Sequence, residues 1–235
     1  MHRLPGSLAV VSALLLAGCS GTVVLKADFQ SFPAGGLLPG KPEDDHVLVG
    51  ANVVFSDGKL ILHSPPPTSA KFFSRPVQKP DATKNIFWRG RLKLGNVPVD
   101  FWVCGENTVG PVPLGGHPCP DALKLSLSRS KVEVIDGSGL KSHTPDPPLN
   151  PNTAYEVFMS FQLSSGTYYI SVQEPISVQG AGALIIDFTG PLHPLTINSL
   201  KNHSRLALWV SLGQILGSSA ANEYEMDDLV MREMN

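Results

Sequence analysis

The sequence predicts an antiparallel β-sandwich, and three observations support that fold class. Apolar residues alternate with polar ones in many short segments, the pattern of a strand that buries one face. The 22 glycines and 21 prolines lie mostly between these segments, where turns need them. No segment shows the spacing of a long amphipathic helix. Short strands joined by turns, without helices to cover a parallel sheet, favour two packed antiparallel sheets.

The clearest strand pair lies in the centre of the chain. In YEVFMSFQL, every second residue from Tyr155 to Leu163 is apolar or aromatic. The turn signal SSG at 164–166 follows, and TYYISVQ then continues the alternation from Tyr168 to Val172. This order of strand, turn and strand predicts a β-hairpin. Further strands are predicted at 59–62, 85–94, 99–104, 123–128, 131–135, 183–188, 205–211 and 224–233.

The N-terminus has the layout of an export signal. Arg3 is followed by an apolar segment from Leu8 to Ala17 and then by small residues. That segment has about half of the roughly twenty apolar residues that a membrane-spanning helix needs. A positive start, a short apolar middle and a small-residue end describe a secretory signal. The run Leu16-Ala17-Gly18-Cys19 also resembles the lipobox of bacterial lipoprotein signals.

The lipobox resemblance implies a location and a domain division. In that family Cys19 is acylated and the signal is cut just before it, so residues 1–18 are the signal peptide and 19–26 a lipidated cysteine with a short tether. Residues 27–235 are then a single β-sandwich domain. Ser20 stands where an aspartate retains such proteins in the inner membrane, so the expected place is the outer membrane of a bacterial cell envelope, on its periplasmic face or at the surface. An ordinary secretory peptide with a chance cysteine is the alternative.

Composition and cysteines narrow the possibilities further. Hydrophobic residues make up 42% of the chain, enough for a sizeable core, and the net charge of −2 argues against a nucleic-acid partner. Cys104 and Cys119 remain as an even pair in an oxidising compartment, which predicts a disulfide. A metal site that includes His117 is the alternative, although zinc sites need closer spacing and more ligands.

Four segments resemble the concanavalin A-like lectins and glucanases, which are jelly-roll sandwiches. They are ADFQSFPAG near the start, SDGKLIL after it, the central hairpin, and EYEMDDLVM as the closing strand. Members of this superfamily often open with an Asp-Phe strand and close with a strand that carries paired aspartates. The resemblance implies a jelly-roll fold over most of residues 27–235, with the two terminal strands side by side.

The resemblance also suggests what to look for in the closing strand. Glucanases of the superfamily carry Glu-x-Asp-x-x-Glu on one strand, which places two carboxylates for retaining hydrolysis. Here Glu225 and Asp227 begin such a motif, but the third carboxylate is missing, so no catalytic residue is predicted. Some lectin-like sandwiches bind calcium where the terminal strands meet, which makes Asp28 and Asp228 candidate ligands of a structural ion. No other cofactor is expected.

The tryptophans indicate where a ligand would bind. By strand parity, Trp102 lies with Asp100 opposite Phe101, and Trp209 lies opposite the apolar Leu208. Sugars stack on aromatic rings and need hydrogen bonds for their hydroxyls, so such a face suits a glycan. The alternative is that the rings cover the sheet beneath long loops such as 104–119. The predicted ligand-binding set is Trp102, Trp209, Asp100, Arg89, Arg91 and Tyr169.

Three functions are compatible with these patterns. The first is a lipid-anchored envelope protein that binds a glycan or another envelope component without catalysis. The second is an interaction or assembly protein that holds a protein partner through its aromatic face or its proline-rich loops at 64–68 and 144–151. The third is a glycan-active hydrolase or lyase. A glycan binder should expose its two face tryptophans, an assembly protein should show a flat apolar patch, and an enzyme should hold two acids, or an acid with a tyrosine or histidine, in a cleft.

Overall fold

The structure is a computed structural model that describes residues 22–27, 29, 46–49, 53–63, 68–73, 85–95, 97–106, 123–136, 138–175, 182–202, 205–212 and 223–234. This part of the chain is built almost wholly from strands. Their bounds, with those of the helix α1, are β1 (Thr22–Ala27), β2 (His46–Val49), β3 (Val53–Ser56), β4 (Lys59–His63), β5 (Ser69–Phe73), β6 (Asn85–Lys93), β7 (Val99–Glu106), β8 (Lys124–Leu127), β9 (Val132–Asp136), β10 (Gly139–His143), β11 (Ala154–Gln162), β12 (Thr167–Gln173), β13 (Leu184–Pro191), α1 (Pro194–Asn202), β14 (Arg205–Leu212) and β15 (Glu223–Met234).

The strands form two antiparallel sheets. Sheet I has the order β13-β12-β11-β6-β15-β4-β3, and β1 also pairs with β15. Sheet II has the order β10-β9-β8-β7-β14-β5-β2. The predicted fold class, an antiparallel β-sandwich, is confirmed.

The central hairpin forms as its alternation predicts. Strands β11 and β12 pair with Met159 opposite Ile170, and both side chains are fully buried. Gly166 closes the turn with a φ of 66°, a backbone conformation that glycine adopts at little cost. The register therefore follows from local residues alone, because a slip by one residue would turn these side chains to the outer face.

The terminal strands lie side by side. Strand β1 pairs with β15, with Ala27 opposite Leu229. This strand overlaps the segment 19–26 that the sequence suggested as a tether. Its residues TVVLKA include the β-branched Thr22 and Val23, which favour extended backbone, and β15 offers them a pairing edge. Residues Thr22–Ala27 are therefore part of sheet I.

The core lies between the two sheets. Trp88 on β6 and Phe101 on β7 are fully buried, and their rings meet across the sandwich at 5.6 Å between centroids. Trp88 thus belongs to the hydrophobic core. Alternate residues of almost every long strand join the same cluster, which is how a sandwich of two sheets is stabilised.

A short helix closes one end of the sandwich between β13 and β14. Helix α1 begins with Pro194, whose fixed φ suits a first helical position, and it carries Lys201 in its last turn. Leu200 is buried in the core, and Ser199 accepts a hydrogen bond from the Gly105 amide at 3.0 Å. Within the described residues, no helix has the length and apolarity needed to span a membrane.

Candidate functional site

The outer face of sheet II brings the two predicted tryptophans together. Trp102 on β7 and Trp209 on β14 are direct cross-strand partners. Their neighbours Phe101 and Leu208 point into the core, so both indoles lie on the opposite, outer face. Lys124 on β8 is the next residue in the same row, and its Nζ lies 5.4 Å from the centroid of the Trp102 ring. We call this surface the tryptophan face.

The indole rings are not open to solvent. Trp102 is 6% exposed and Trp209 is 2% exposed. A glycan binder is expected to expose both rings, and this structure does not show that. The rings are covered, as the alternative interpretation of the sequence expects. Parity gives the face that a side chain takes, but not what packs above it.

Asp100 is the polar group that distinguishes this face. It lies between Ser126 on β8 and Ser211 on β14, which are its cross-strand partners. One carboxylate oxygen, Oδ2, forms an ion pair with Lys124 Nζ at 2.8 Å. The other, Oδ1, is buried and accepts no hydrogen bond from the residues that the structure describes. A buried acceptor without a donor is costly, so Asp100 would be stabilised by a ligand donor that reached this oxygen.

The tryptophan row reaches the edge of sheet II as an exposed aliphatic pair. Ile135 on β9 is the cross-strand partner of Lys124, and Leu140 on β10 is the partner of Ile135. These two side chains are 45% and 61% exposed. The row therefore changes from buried aromatic rings at the centre of the sheet to an open apolar patch at its edge.

Lys124, Ser126 and Ser211 are site residues that the sequence reasoning missed. The alternation that predicts Leu125 and Leu127 as inward would also have placed Lys124 and Ser126 on the outside. The missing information was that β8 pairs with β7, which alternation does not contain.

Three residues of the predicted ligand-binding set lie on the other sheet. Arg89 and Arg91 are on β6, and Tyr169 is on β12, both strands of sheet I. All three point away from the core, as parity predicts, but the sandwich separates them from the tryptophans. Grouping them with Trp102 assumed that their strands share one sheet, and that assumption is wrong.

The two arginines are held by a buried acid. Glu156 on β11 has a side chain with no exposed surface, and it accepts a hydrogen bond from Arg89 Nε at 2.9 Å and from Arg91 Nε at 3.1 Å. Arg91 also forms an ion pair with Asp228 at 3.2 Å. Burial would lower the pKa of Arg91, but the charge of Glu156 and its hydrogen bond raise it. These arginines thus have partners within sheet I.

Tyr169 lies on the same side of sheet I with its hydroxyl buried. Burial, followed by the charge of Asp187, raises the pKa of the Tyr169 phenol. The phenol therefore stays protonated at neutral pH and acts as a neutral polar group.

Strand β15 of sheet I carries Glu225, Asp227 and Asp228. Glu225 and Asp228 form ion pairs with basic side chains of the same sheet. Glu225 binds Lys59 at 2.7 Å and Lys93 at 2.8 Å, each through a different carboxylate oxygen. Asp228 has a φ of 50° within a bulge, and its amide donates to Asp227 Oδ1 at 2.8 Å. Burial, with the neighbouring charge of Asp228, raises the pKa of Asp227. The segment that resembles the glucanase motif therefore lies away from the tryptophan face.

One acid and one tyrosine do meet, at the edge where the two sheets approach each other. Tyr168 on β12 donates a hydrogen bond to Asp136 Oδ2 at the end of β9, and Lys141 on β10 reaches the same oxygen at 2.8 Å. Asp136 Oδ1 accepts from both the amide and the hydroxyl of Ser138, each at 2.6 Å. Lys141 also donates to the carbonyl of Thr189 on β13 at 2.8 Å. Because Tyr168 and Thr189 belong to sheet I whereas Asp136 and Lys141 belong to sheet II, the cluster links the two sheets.

Glycine is required beside this cluster. A Cβ added at Gly190 would lie 2.2 Å from Lys141 Nζ and 2.6 Å from Asp136 Oδ2. We call these linked groups, Asp136, Lys141 and Tyr168, the edge clamp.

Several predicted residues fall outside the described part of the chain. Cys19, Asp28 and Cys119 are not among the described residues. Cys104 lies on β7 and is 1% exposed. Lipidation of Cys19, the Cys104–Cys119 disulfide and a calcium site at Asp28 and Asp228 therefore stay predictions. The described residues contain no cluster of three or more His, Cys, Asp or Glu side chains arranged to hold a metal ion.

Comparison with known proteins places the fold. No protein-family model matches the sequence, and neither does any curated protein. An endo-1,3-β-glucanase from Streptomyces sioyaensis is similar in structure, with a TM-score of 0.56 at 13% identity over 100% of both chains. Lectin II from Ulex europaeus gives a TM-score of 0.57 at 9% identity, covering 83% of this chain and 96% of its own. An endo-acting O-glycanase structure from prominent members of the human gut microbiota gives 0.50 at 13% identity, covering 91% of this chain and 100% of its own.

Identities this low establish a fold and not an activity. The order of antiparallel strands, the adjacent terminal strands and these structural neighbours agree with one another. The described chain therefore has an antiparallel jelly-roll β-sandwich fold like that of these glucanase and lectin structures.

Proposed function

We propose that this protein is a lipid-anchored component of a bacterial cell envelope that binds a glycan on the tryptophan face and performs no chemistry. The observation that carries the proposal is Asp100, whose buried Oδ1 accepts no hydrogen bond from the described part of the chain and lies beside a cross-strand pair of tryptophans. A sugar hydroxyl is the donor that such an oxygen would accept. The occurrence of the fold in lectins and in glycan-active enzymes supports this choice of ligand.

The ligand would be held mainly by polar groups. Because both indoles are nearly covered, they would serve as the apolar wall beside the polar line of Ser126, Asp100 and Ser211. Lys124 would supply a further donor next to Asp100. The exposed end of the row, at Ile135 and Leu140, would be the side from which a chain of sugars approaches.

A glycan array tests this proposal. The full chain, purified in a mild detergent, is expected to bind at least one bacterial or plant glycan. Asp100→Ala is expected to weaken that binding by about tenfold or more, the effect of losing one hydrogen bond to a charged group. Running the array with calcium and then with EDTA tests the predicted metal at the same time.

The matched control is Arg89→Gln on the opposite sheet, which should leave glycan binding unchanged. Thermal unfolding of each variant separates loss of binding from loss of fold. Absence of binding to every glycan, or equal losses in the Asp100 and Arg89 variants, would remove the tryptophan face as a sugar site.

A protein partner is the second candidate function, and the exposed Ile135–Leu140 pair favours it. Apolar side chains that stand together on a surface often mark a protein contact. In that case Leu140→Ser, and not Asp100→Ala, would abolish capture of the partner. The two candidate functions are thus separated by two single substitutions on the same face.

Anchoring is tested by labelling. Cells that express the full chain are expected to incorporate labelled palmitate into it. The protein is also expected in the membrane fraction, because two or more acyl chains give a stable membrane attachment. Cys19→Ser should lose the label, and the protein should leave the membrane fraction. Cys104→Ser is the matched control and should keep the label. Label that persists in the Cys19 variant would contradict lipidation at this residue.

A further inference from the structure

A cavity lies away from the tryptophan face, where the chain crosses from β10 in sheet II to β11 in sheet I. Its volume is about 340 Å³. Pro145, Pro147, Pro148 and Ile185 form apolar walls. The cavity is at the lower end of the range for small-molecule sites, which favours a short ligand or a single side chain.

The walls of this cavity are held in place by hydrogen bonds. The Leu149 amide donates to the Arg129 carbonyl at 2.8 Å, and Arg129 Nε donates back to the Leu149 carbonyl at 2.9 Å. The Asn150 amide donates to the hydroxyl of Tyr155 at 2.8 Å. A loop of prolines fixed at several points loses little conformational freedom when a ligand binds.

The described residues that line the cavity include two carboxylates. Asp146 and Glu174 both line it, together with the polar side chains of His143, Asn150 and Tyr155. None of the described residues that line it is a lysine or an arginine. Asp146 and Glu174 come from separate parts of the chain, the proline loop and the end of β12, and both are exposed. The two carboxylates would attract a cation, since no basic side chain is found among the described lining residues. The apolar walls would contact a short apolar stem that carries this cation.

We propose that this cavity, which we call the proline pocket, binds a protonated amine or guanidinium carried on a short apolar stem. The stem packs against Pro147, Pro148 and Ile185, and the charged head lies toward Asp146 and Glu174. A lysine or arginine side chain of a peptide provides this chemistry, whereas an amino sugar carries its cation on a polar ring without an apolar stem. The proposal is independent of glycan binding on the tryptophan face, from which the pocket is separate.

Calorimetric titration of the full chain in mild detergent tests the proposal. The probes are Nα-acetyl-lysine amide, Nα-acetyl-arginine amide and glucosamine, with Nα-acetyl-norleucine amide as the uncharged match for lysine. At least one cationic probe is expected to bind saturably, and norleucine amide about tenfold or more weakly. The amino acid amides are expected to bind more tightly than glucosamine, because only they carry the cation on an apolar stem, and the reverse order would overturn the proposal.

The decisive variant is Asp146→Asn combined with Glu174→Gln, which should weaken the cationic probe by about tenfold or more. Both residues are exposed, so the fold is expected to survive, and thermal unfolding checks this. Asp187→Asn, an exposed acid on β13 outside the pocket, is the matched control and should keep full affinity. Failure of all three cationic probes to bind, equal binding of norleucine amide, or full affinity in the double variant would overturn the proposal.

Discussion

Replacing Asp136 with asparagine is expected to lower the free energy of unfolding by about 3 kcal/mol, in the range for breaking a buried ion pair. The side chain has no exposed surface and accepts hydrogen bonds from Tyr168, Lys141 and Ser138. The oxygen of an amide can accept at only one of the two carboxylate positions, so the NH₂ group would face donors at the other, either those of Ser138 or those of Tyr168 and Lys141. The donors on that side would lose an acceptor inside the cluster, although Lys141 would keep the Thr189 carbonyl.

Urea unfolding followed by circular dichroism measures this effect. Glu133→Gln is the matched control, because Glu133 pairs with Lys131 at 2.6 Å on the same sheet but is 24% exposed. A partly exposed pair of this kind contributes about 1 kcal/mol or less. If Asp136→Asn costs no more than the control, the edge clamp does not hold the two sheets together.

The edge clamp also predicts how stability changes in acid. Burial alone would raise the pKa of Asp136, but hydrogen bonds from Lys141, Ser138 and Tyr168 outweigh it and lower the pKa from 3.8 to about 2. A carboxylate with a lowered pKa stabilises the folded state above its unfolded pKa, and that contribution is lost as pH falls through the folded value. About 2 kcal/mol should therefore disappear between pH 4 and pH 2 in the wild type, and this part of the decrease should be absent in Asp136→Asn.

Much of the fold could be predicted from the sequence because the information is local. Strands β11 and β12 carry both their alternation and their turn within twenty residues, so their pairing follows without knowledge of the rest of the chain. Strand β10 was missed for the opposite reason. It lies at the edge of sheet II with four of its five residues exposed, so it lacks the buried face that alternation detects.

The candidate site could be predicted only in part because strand order is not local. Parity gave the correct face for Trp102 and Trp209, but their direct pairing depends on β7 and β14, which are distant in the chain. Arg89 has the same parity and lies on the other sheet. The burial of the indoles, and of an Asp100 oxygen that accepts no hydrogen bond from the described residues, depends on three-dimensional packing, for which strand alternation has no signal.

Replacing Glu156 with glutamine is expected to cost about 3 kcal/mol of stability, because it leaves two arginines beside a buried neutral group. Glu156 is fully buried, whereas Arg89 and Arg91 are each 35% exposed in their side chains. Water can therefore hydrate part of each guanidinium after the change, which keeps the cost at the lower end of the range for a broken buried pair.

Glu225→Gln is the matched control for this prediction. Glu225 also binds two cations, Lys59 and Lys93, on the same outer face of sheet I, but it is 21% exposed and its lysines are 41% and 37% exposed. The expected cost there is about 1 kcal/mol or less. Both variants are compared by urea unfolding at low salt and again in 1 M sodium chloride. Salt should weaken the contribution of Glu225 and leave most of that of Glu156, since screening acts on exposed charges. Equal costs, or equal salt dependence, would mean that Glu156 behaves as a surface acid and that Arg89 and Arg91 are free to bind a ligand.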